Sequence, residues 1–178
     1  MTAALAPGRP FTGSERELLE NTLDLNREEL VRAVESLAET QARMQLVPSL
    51  TTPISLIKHC AAAERIWFQR TLARMSINDC DGHATGGDGS FHVADDETLA
   101  DVITEYIAAC RRSQQLAANY GLDDTVEHHV VGTVSLRFIY LGMIAEVARH
   151  AGHADILAEQ IQAATKSSAD TSEQTPNP

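Results

Sequence analysis

The stretch "SLRFIYLGMIAEVARHAGHADILAEQIQAA", Ser135 to Ala164, holds apolar residues at helical period for about 28 residues, with no proline to stop it. A helix of that length is roughly 42 Å long, so only other long helices can cover its apolar arc. Leu136, Ile139, Met143, Val147, Leu157 and Ile161 share that arc. His150 falls near its middle, Glu146 lies about 40° to one side but still within it, and His153 sits at the margin. A carboxylate among apolar side chains is costly unless partnered.

Three more amphipathic segments supply the covering helices. The first runs from about Ser14 to Thr40, opened by a capping box in "SERE" (Ser14 and Glu17), with Leu19, Leu23, Leu30, Val34 and Leu37 at helical period. The second, "TTPISLIKHCAAAERIWFQRTLARM", begins with a threonine cap and Pro53 in its first turn and ends near Met75. Residues 76–96 contain Gly82, Gly86, Gly87 and Gly89, which deny the run a regular element and leave a long crossover loop. The third helix follows Asp95 or Asp96 and stops at Gly121. A short polar connection, "LDDTVEHHVVGTV", leads into the fourth, and no strand pattern competes. The expected fold is all-α: a four-helix bundle with a long crossover between helices two and three, and therefore not simply up-down-up-down. Residues 1–13 read as a flexible N-terminus, 14–165 as one metal-binding bundle, and the polar 166–178 as a disordered tail.

Composition narrows the function classes. The chain has 178 residues, enough for one domain with a real core, and only 4% aromatic residues, so Leu, Ile, Val and Ala must fill that core. A net charge of -11 argues against a general nucleic-acid binder, which needs clustered Lys and Arg. The N-terminus lacks the basic-then-apolar pattern of a signal peptide, and no run approaches the ~18 apolar residues of a membrane span. Three cysteines, Cys60, Cys80 and Cys110, form no disulfide framework. Cytoplasmic placement is expected.

Glu146 and His150 are four residues apart, so their side chains rise on one side of the helix and can grip one cation. A further ligand has to come from another helix. His59, in "LIKHCAAAERIWF", lies just outside the densest apolar arc of helix two. Glu64 lies inside that arc beside Ile57 and Phe68, as a supporting partner, an alternative ligand, or half of an ion pair with an arginine. Two histidines and one carboxylate suit Zn²⁺, Ni²⁺ or Fe²⁺ with positions left for water or substrate. The competing reading is a buried Glu–His pair with His59 partly exposed and inert.

Other signals are weaker. "CDGH", Cys80 to His83, with His92 beyond, has half of a zinc-knuckle spacing and no second cysteine pair. "DCDGHATGGDGS" fails as a calcium loop because Ala84 stands where the turn glycine belongs if Asp79 is the first ligand. His128 and His129 read as a solvated loop or a pocket mouth, and Cys60 as a small core residue. A di-iron site would need two Glu-x-x-His motifs, whereas the spacing here is Glu-x-x-x-His, once. No H-E-x-x-H and no phosphate loop occur.

The stretches "VPSLTTPISLIKHCAAAERIWF" and "VSLRFIYLGMIAEVARHAGHADIL" together resemble the DinB-like superfamily, over about Glu15 to Gln160. The resemblance is to its thiol-dependent branch, which includes mycothiol-dependent maleylpyruvate isomerase and mycothiol or bacillithiol S-transferases. It implies a down-up-up-down bundle, a homodimer, and a divalent metal (zinc first, nickel or iron otherwise) held by His59, Glu146 and His150. His153 is outside the implied triad. It also implies a low-molecular-weight thiol co-substrate whose thiolate attacks an electrophile. Substrate choice would then come from the 76–96 loop and the mouth around Tyr140 to Met143. Relatives often carry a histidine in an "LLHM" stretch where this chain reads "YLGM", with Gly142, which implies a different pocket rim. The chain has no room for the isomerase's extra C-terminal domain, so a stand-alone S-transferase is the expected activity. A non-catalytic metal-binding stress-associated bundle and a metal-assisted hydrolase are the alternatives, and both place metal at the same three residues.

Overall fold

In the computed structural model the described residues are 11–173, with side chains described as far as 165. They are mostly helical: α1 (Glu15–Val34), the short α2 (Glu39–Ala42), α3 (Pro53–Glu64), α4 (Leu99–Ala117) and α5 (Leu136–Glu173), with one two-stranded sheet of β1 (Thr125–His128) and β2 (Gly132–Ser135). α5 packs along α1 and against α3, and α3 also packs on α4. Their shared core contains Leu23, Leu30, Ile57, Phe68, Tyr106, Leu136, Ile139, Met143, Val147 and Ile161.

Local chemistry starts α1 and α3 where the sequence suggests, while α4 starts after Thr98 rather than directly after Asp95 or Asp96. Ser14 and Glu17 form the capping box of α1, Thr52 and Ser55 that of α3 with Pro53 in its first turn, and Thr98 and Asp101 that of α4. Ser135 accepts the Phe138 N–H at 3.2 Å and caps α5.

Boundaries shift where tertiary contacts outweigh period. Helix one was expected to reach Thr40, but α1 ends at Val34 and the chain restarts as α2. There Glu39 accepts the Leu99 N–H at 2.8 Å and Arg43 donates to the Ala94 carbonyl at 3.1 Å, tying α2 to the start of α4. α3 changes at Arg65 into a π-helical segment, Arg65–Leu72, and Arg74 takes a positive φ of 55° beyond it. α4 stops at Ala117, before Gly121, whose N–H is held by Asp124.

The connection after α4 was expected to contain no strand. It forms an antiparallel hairpin pairing Val126 with Val134, both buried, and Gly132 closes it at a φ of 79°. Strands of four residues are too short to show alternation against a helical background, and contact with the π segment and α5 holds them. The 76–96 loop contains the 3₁₀ turns Ile77–Asp79 and Asp88–Phe91. At the C-terminal end, α5 continues through Glu173 into the segment expected to be a disordered tail, because "TKSSADTSE" contains no proline or glycine to stop it. Residues 1–10 and 174–178, the rest of the two ends expected to be flexible, lie outside the described residues.

Candidate metal centre

α3 and α5 bring His59, Glu146 and His150 together. His59 Nε2 lies 3.0 Å from Glu146 Oε1, and His150 Nε2 lies 3.1 Å from the same oxygen. One donor atom from each residue falls within 4.8 Å of the other two, and this is the only such group of three or more among the described residues. Donors bonded to one ion at about 2.0–2.1 Å stand roughly 3.0–3.4 Å apart, so both spacings suit a shared cation. His150 is buried, while His59 and Glu146 are partly buried. His150 and His59, close beside it, hold the Glu146 carboxyl well below the usual carboxylate range, against the opposing effect of burial.

The 76–96 loop decides the tautomer of His59. Ser90 is buried and its Oγ lies 2.6 Å from the Gly87 carbonyl, which can only accept, so the one hydroxyl proton of Ser90 is committed there. His59 Nδ1, 2.8 Å from that Oγ, must therefore carry a proton and donate it. In the neutral ring this leaves the Nε2 lone pair facing Glu146 Oε1, and two acceptors at 3.0 Å require a shared proton or a cation between them. The donor set and its outer support thus fit a divalent metal. Phe91, from the same 3₁₀ turn, stacks on the His59 ring at 4.2 Å.

That loop is irregular but firmly anchored. Buried Arg65 pairs with Asp81 at 2.7 Å and lies 2.9 Å from Glu105. Arg70 donates to the Ala84 carbonyl at 2.7 Å, and Gln69 accepts the Asp81 N–H at 3.1 Å. Gly82 lets the loop approach this closely, since a Cβ there would stand 2.6 Å from Arg65 Cζ. Lys58, next to His59, pairs with Glu97 and with Glu105.

The remaining candidates sort clearly. Glu64 is half of a buried ion pair: Arg27 donates to both of its oxygens, at 2.8 and 2.6 Å, and also to Asp24 at 2.7 Å. His153 is exposed, edge-on to His150 at 5.5 Å and outside the group. Cys60 is fully buried, and burial pushes its thiol up, as suits a core residue rather than a nucleophile. Cys80 donates to the Ser76 carbonyl and His83 meets Thr85, and neither joins a donor cluster. At the expected mouth, Tyr140 and Met143 are buried, the former donating to Glu20 at 2.9 Å, so only Leu141 and Gly142 are exposed there. His128 is no free loop residue, because it stacks on Trp67 at 4.9 Å. Ser90 and Phe91 escaped the sequence reading altogether; nothing in a glycine-rich loop says which side chain returns to a helix 31 residues earlier.

A search of curated proteins finds no match. The sequence profile of the Mycothiol-S-transferase family matches residues 18–163, a span that includes all three donors and the loop supporting them. The chain belongs to the mycothiol-S-transferase family.

Proposed function

We propose that the protein is a divalent-metal-dependent S-transferase using a low-molecular-weight thiol of the mycothiol class, with His59, Glu146 and His150 as the metal ligands and zinc as the first metal to test. One observation carries the metal part: three donors from two helices converge, and the second nitrogen of His59 is already committed to Ser90. Family membership supports the thiol and transferase parts. Bound there, a divalent cation would supply the positive charge that favours a thiolate over a thiol. The chain's own residues do the rest. Glu146 contributes a negative charge that offsets part of the metal's, His59 is held in its ligating tautomer, and Phe91 shields one face of its ring.

We read the four long helices as the down-up-up-down bundle of the DinB-like superfamily. The working protein is, on this reading, a cytoplasmic homodimer. Family membership and the packing order α1–α5–α3–α4 support the bundle, and among the described residues no helix is long and apolar enough to cross a membrane.

The test pairs elemental analysis of untagged protein with conjugation assays. Near-stoichiometric Zn, Ni or Fe, lost in His150→Ala, together with electrophile conjugation that needs both metal and thiol, is the expected result. No metal in the parent and no uptake of added Zn²⁺ or Ni²⁺ would reduce Glu146 and His150 to a hydrogen-bonded pair and remove the transferase reading.

A further inference from the structure

Phe138, Gly142, Glu146 and His150 succeed one another at four-residue steps along α5, each about 40° further round, so that neighbours in the series stand one turn apart. His59, Ala63 and Trp67 form a second series on α3 and its π segment. In an unbroken α-helix Trp67 would stand about 80° round from His59, because each four-residue step overshoots a full turn by about 40°. The wider π turn beginning at Arg65 takes part of that drift back. The two series meet at both ends: His59 with Glu146 at 3.0 Å, and the Trp67 ring edge-on to Phe138 at 6.1 Å.

The Trp67 end is an aromatic platform. His128 stacks on Trp67 with ring planes 19° apart. His128 Nδ1 accepts the N–H groups of Val130 and Val131, at 3.2 and 3.3 Å, so that nitrogen carries no proton and the stack is uncharged. Phe138, Val130 and Val131 are exposed beside it and apolar, while His129 lies tilted against His128 at 4.6 Å. From Glu146 to Phe138 is eight residues of α5, about 12 Å. Midway, Gly142 is exposed and a Cβ built on it meets no atom within 4 Å, while Ala63 is the corresponding small residue of the other series.

We propose that this trough, from Glu146 past Gly142 to the Trp67–His128–Phe138 platform, seats the electrophilic substrate and selects a planar, apolar ring system. This rests on the transferase reading above. A flat ring lies over Gly142, with its far edge against the platform and its reactive carbon turned to a thiol beside Glu146. With 1-chloro-2,4-dinitrobenzene the sulfur bonds to the ring carbon, the C–Cl bond breaks, chloride leaves with the bonding pair, and the thiol proton passes to solvent. Gly142 sets the space available, and Trp67 and His128 set the preference for flat apolar rings over charged or aliphatic electrophiles.

Trp67 is the chain's one tryptophan, so its emission reads the platform directly. The probe is the S-(2,4-dinitrophenyl) conjugate of N-acetylcysteine, titrated into the parent and into Gly142→Leu. Leucine replaces glycine in a helix interior with open space around it, so the variant should fold at least as stably, which circular dichroism and melting check. Saturable quenching in the parent, with half-saturation raised tenfold or more in Gly142→Leu, is the expected result. Absence of saturable quenching in the parent, or equal binding by both proteins, overturns the proposal. Conjugation of 1-chloro-2,4-dinitrobenzene is followed separately. Gly142-sensitive quenching without any conjugation keeps the trough as a site for planar apolar rings and rejects the transferase reading alone. Conjugation at an unchanged electrophile KM in Gly142→Leu, with Trp67 emission indifferent to the probe, keeps the transferase reading and rejects the trough.

Discussion

A single hydroxyl governs what His59 can do. Ser90→Ala removes the acceptor of the His59 Nδ1 proton and leaves the three donors in place. Metal affinity should fall about 10- to 100-fold, as loss of an outer hydrogen bond to a ligating histidine typically does, while the melting temperature of metal-free protein stays nearly constant. Chelator competition reads the affinity, and an unchanged value would mean that Ser90 plays no supporting part. Buried Glu64 is a different case, because its partner is a cation of the protein itself. Burial pushes the Arg27 guanidinium down, but Glu64 more than offsets this and the group stays charged. Glu64→Leu alone leaves that buried charge with only Asp24 as partner and should cost about 3 kcal/mol in denaturant unfolding, whereas Arg27→Met with Glu64→Leu should come close to neutral. Of the two glutamate-bearing faces, the one on α5 carries its own partner, a histidine four residues away, whereas Glu64 left three readings open because its partner is 37 residues distant.

At the scale of elements, the hairpin and the π segment hold each other through His128 and Trp67. Burial, with help from His129 and Arg70, holds the His128 imidazole below its ordinary value of 6.5, and Glu127 is the acidic neighbour on the same strand. A depressed folded-state value favours the neutral ring in the fold. The stabilisation is therefore present above about pH 6.5 and is lost as pH falls through the folded-state value. Trp67 emission should shift on acidification with a midpoint below 6.5, and His128→Gln should flatten that transition. A transition that persists unchanged in the variant would assign it to other groups. Gly82→Ala tests the loop: its methyl group would displace the Arg65 guanidinium from Asp81, so thermal stability should drop by about 1–3 kcal/mol and metal affinity should fall with it as Ser90 loosens.

For the whole molecule, binding and folding are linked. The donors come from α3 and α5, so a metal that binds only the folded chain should stabilise it by about 2.7 kcal/mol at a hundredfold excess over Kd, a rise of roughly 5–10 °C in melting temperature. Melting with and without Zn²⁺ measures this, and His150→Ala should show no rise; equal shifts in both proteins would place the metal elsewhere. The helical period, the Ser14–Glu17 capping box, the threonine cap before Pro53 and the Glu146–His150 spacing were legible in the sequence, because each depends on neighbours within four residues. The hairpin, the π turn, the break between α1 and α2, the choice of Arg27 as the arginine that pairs with Glu64, and the return of Ser90 and Phe91 to His59 were not. They are settled by contacts between residues far apart in the chain, whose energies appear only once the helices are packed. Sequence alone thus determined which faces are apolar and which polar side chains interrupt them; tertiary structure decided which of those side chains meet.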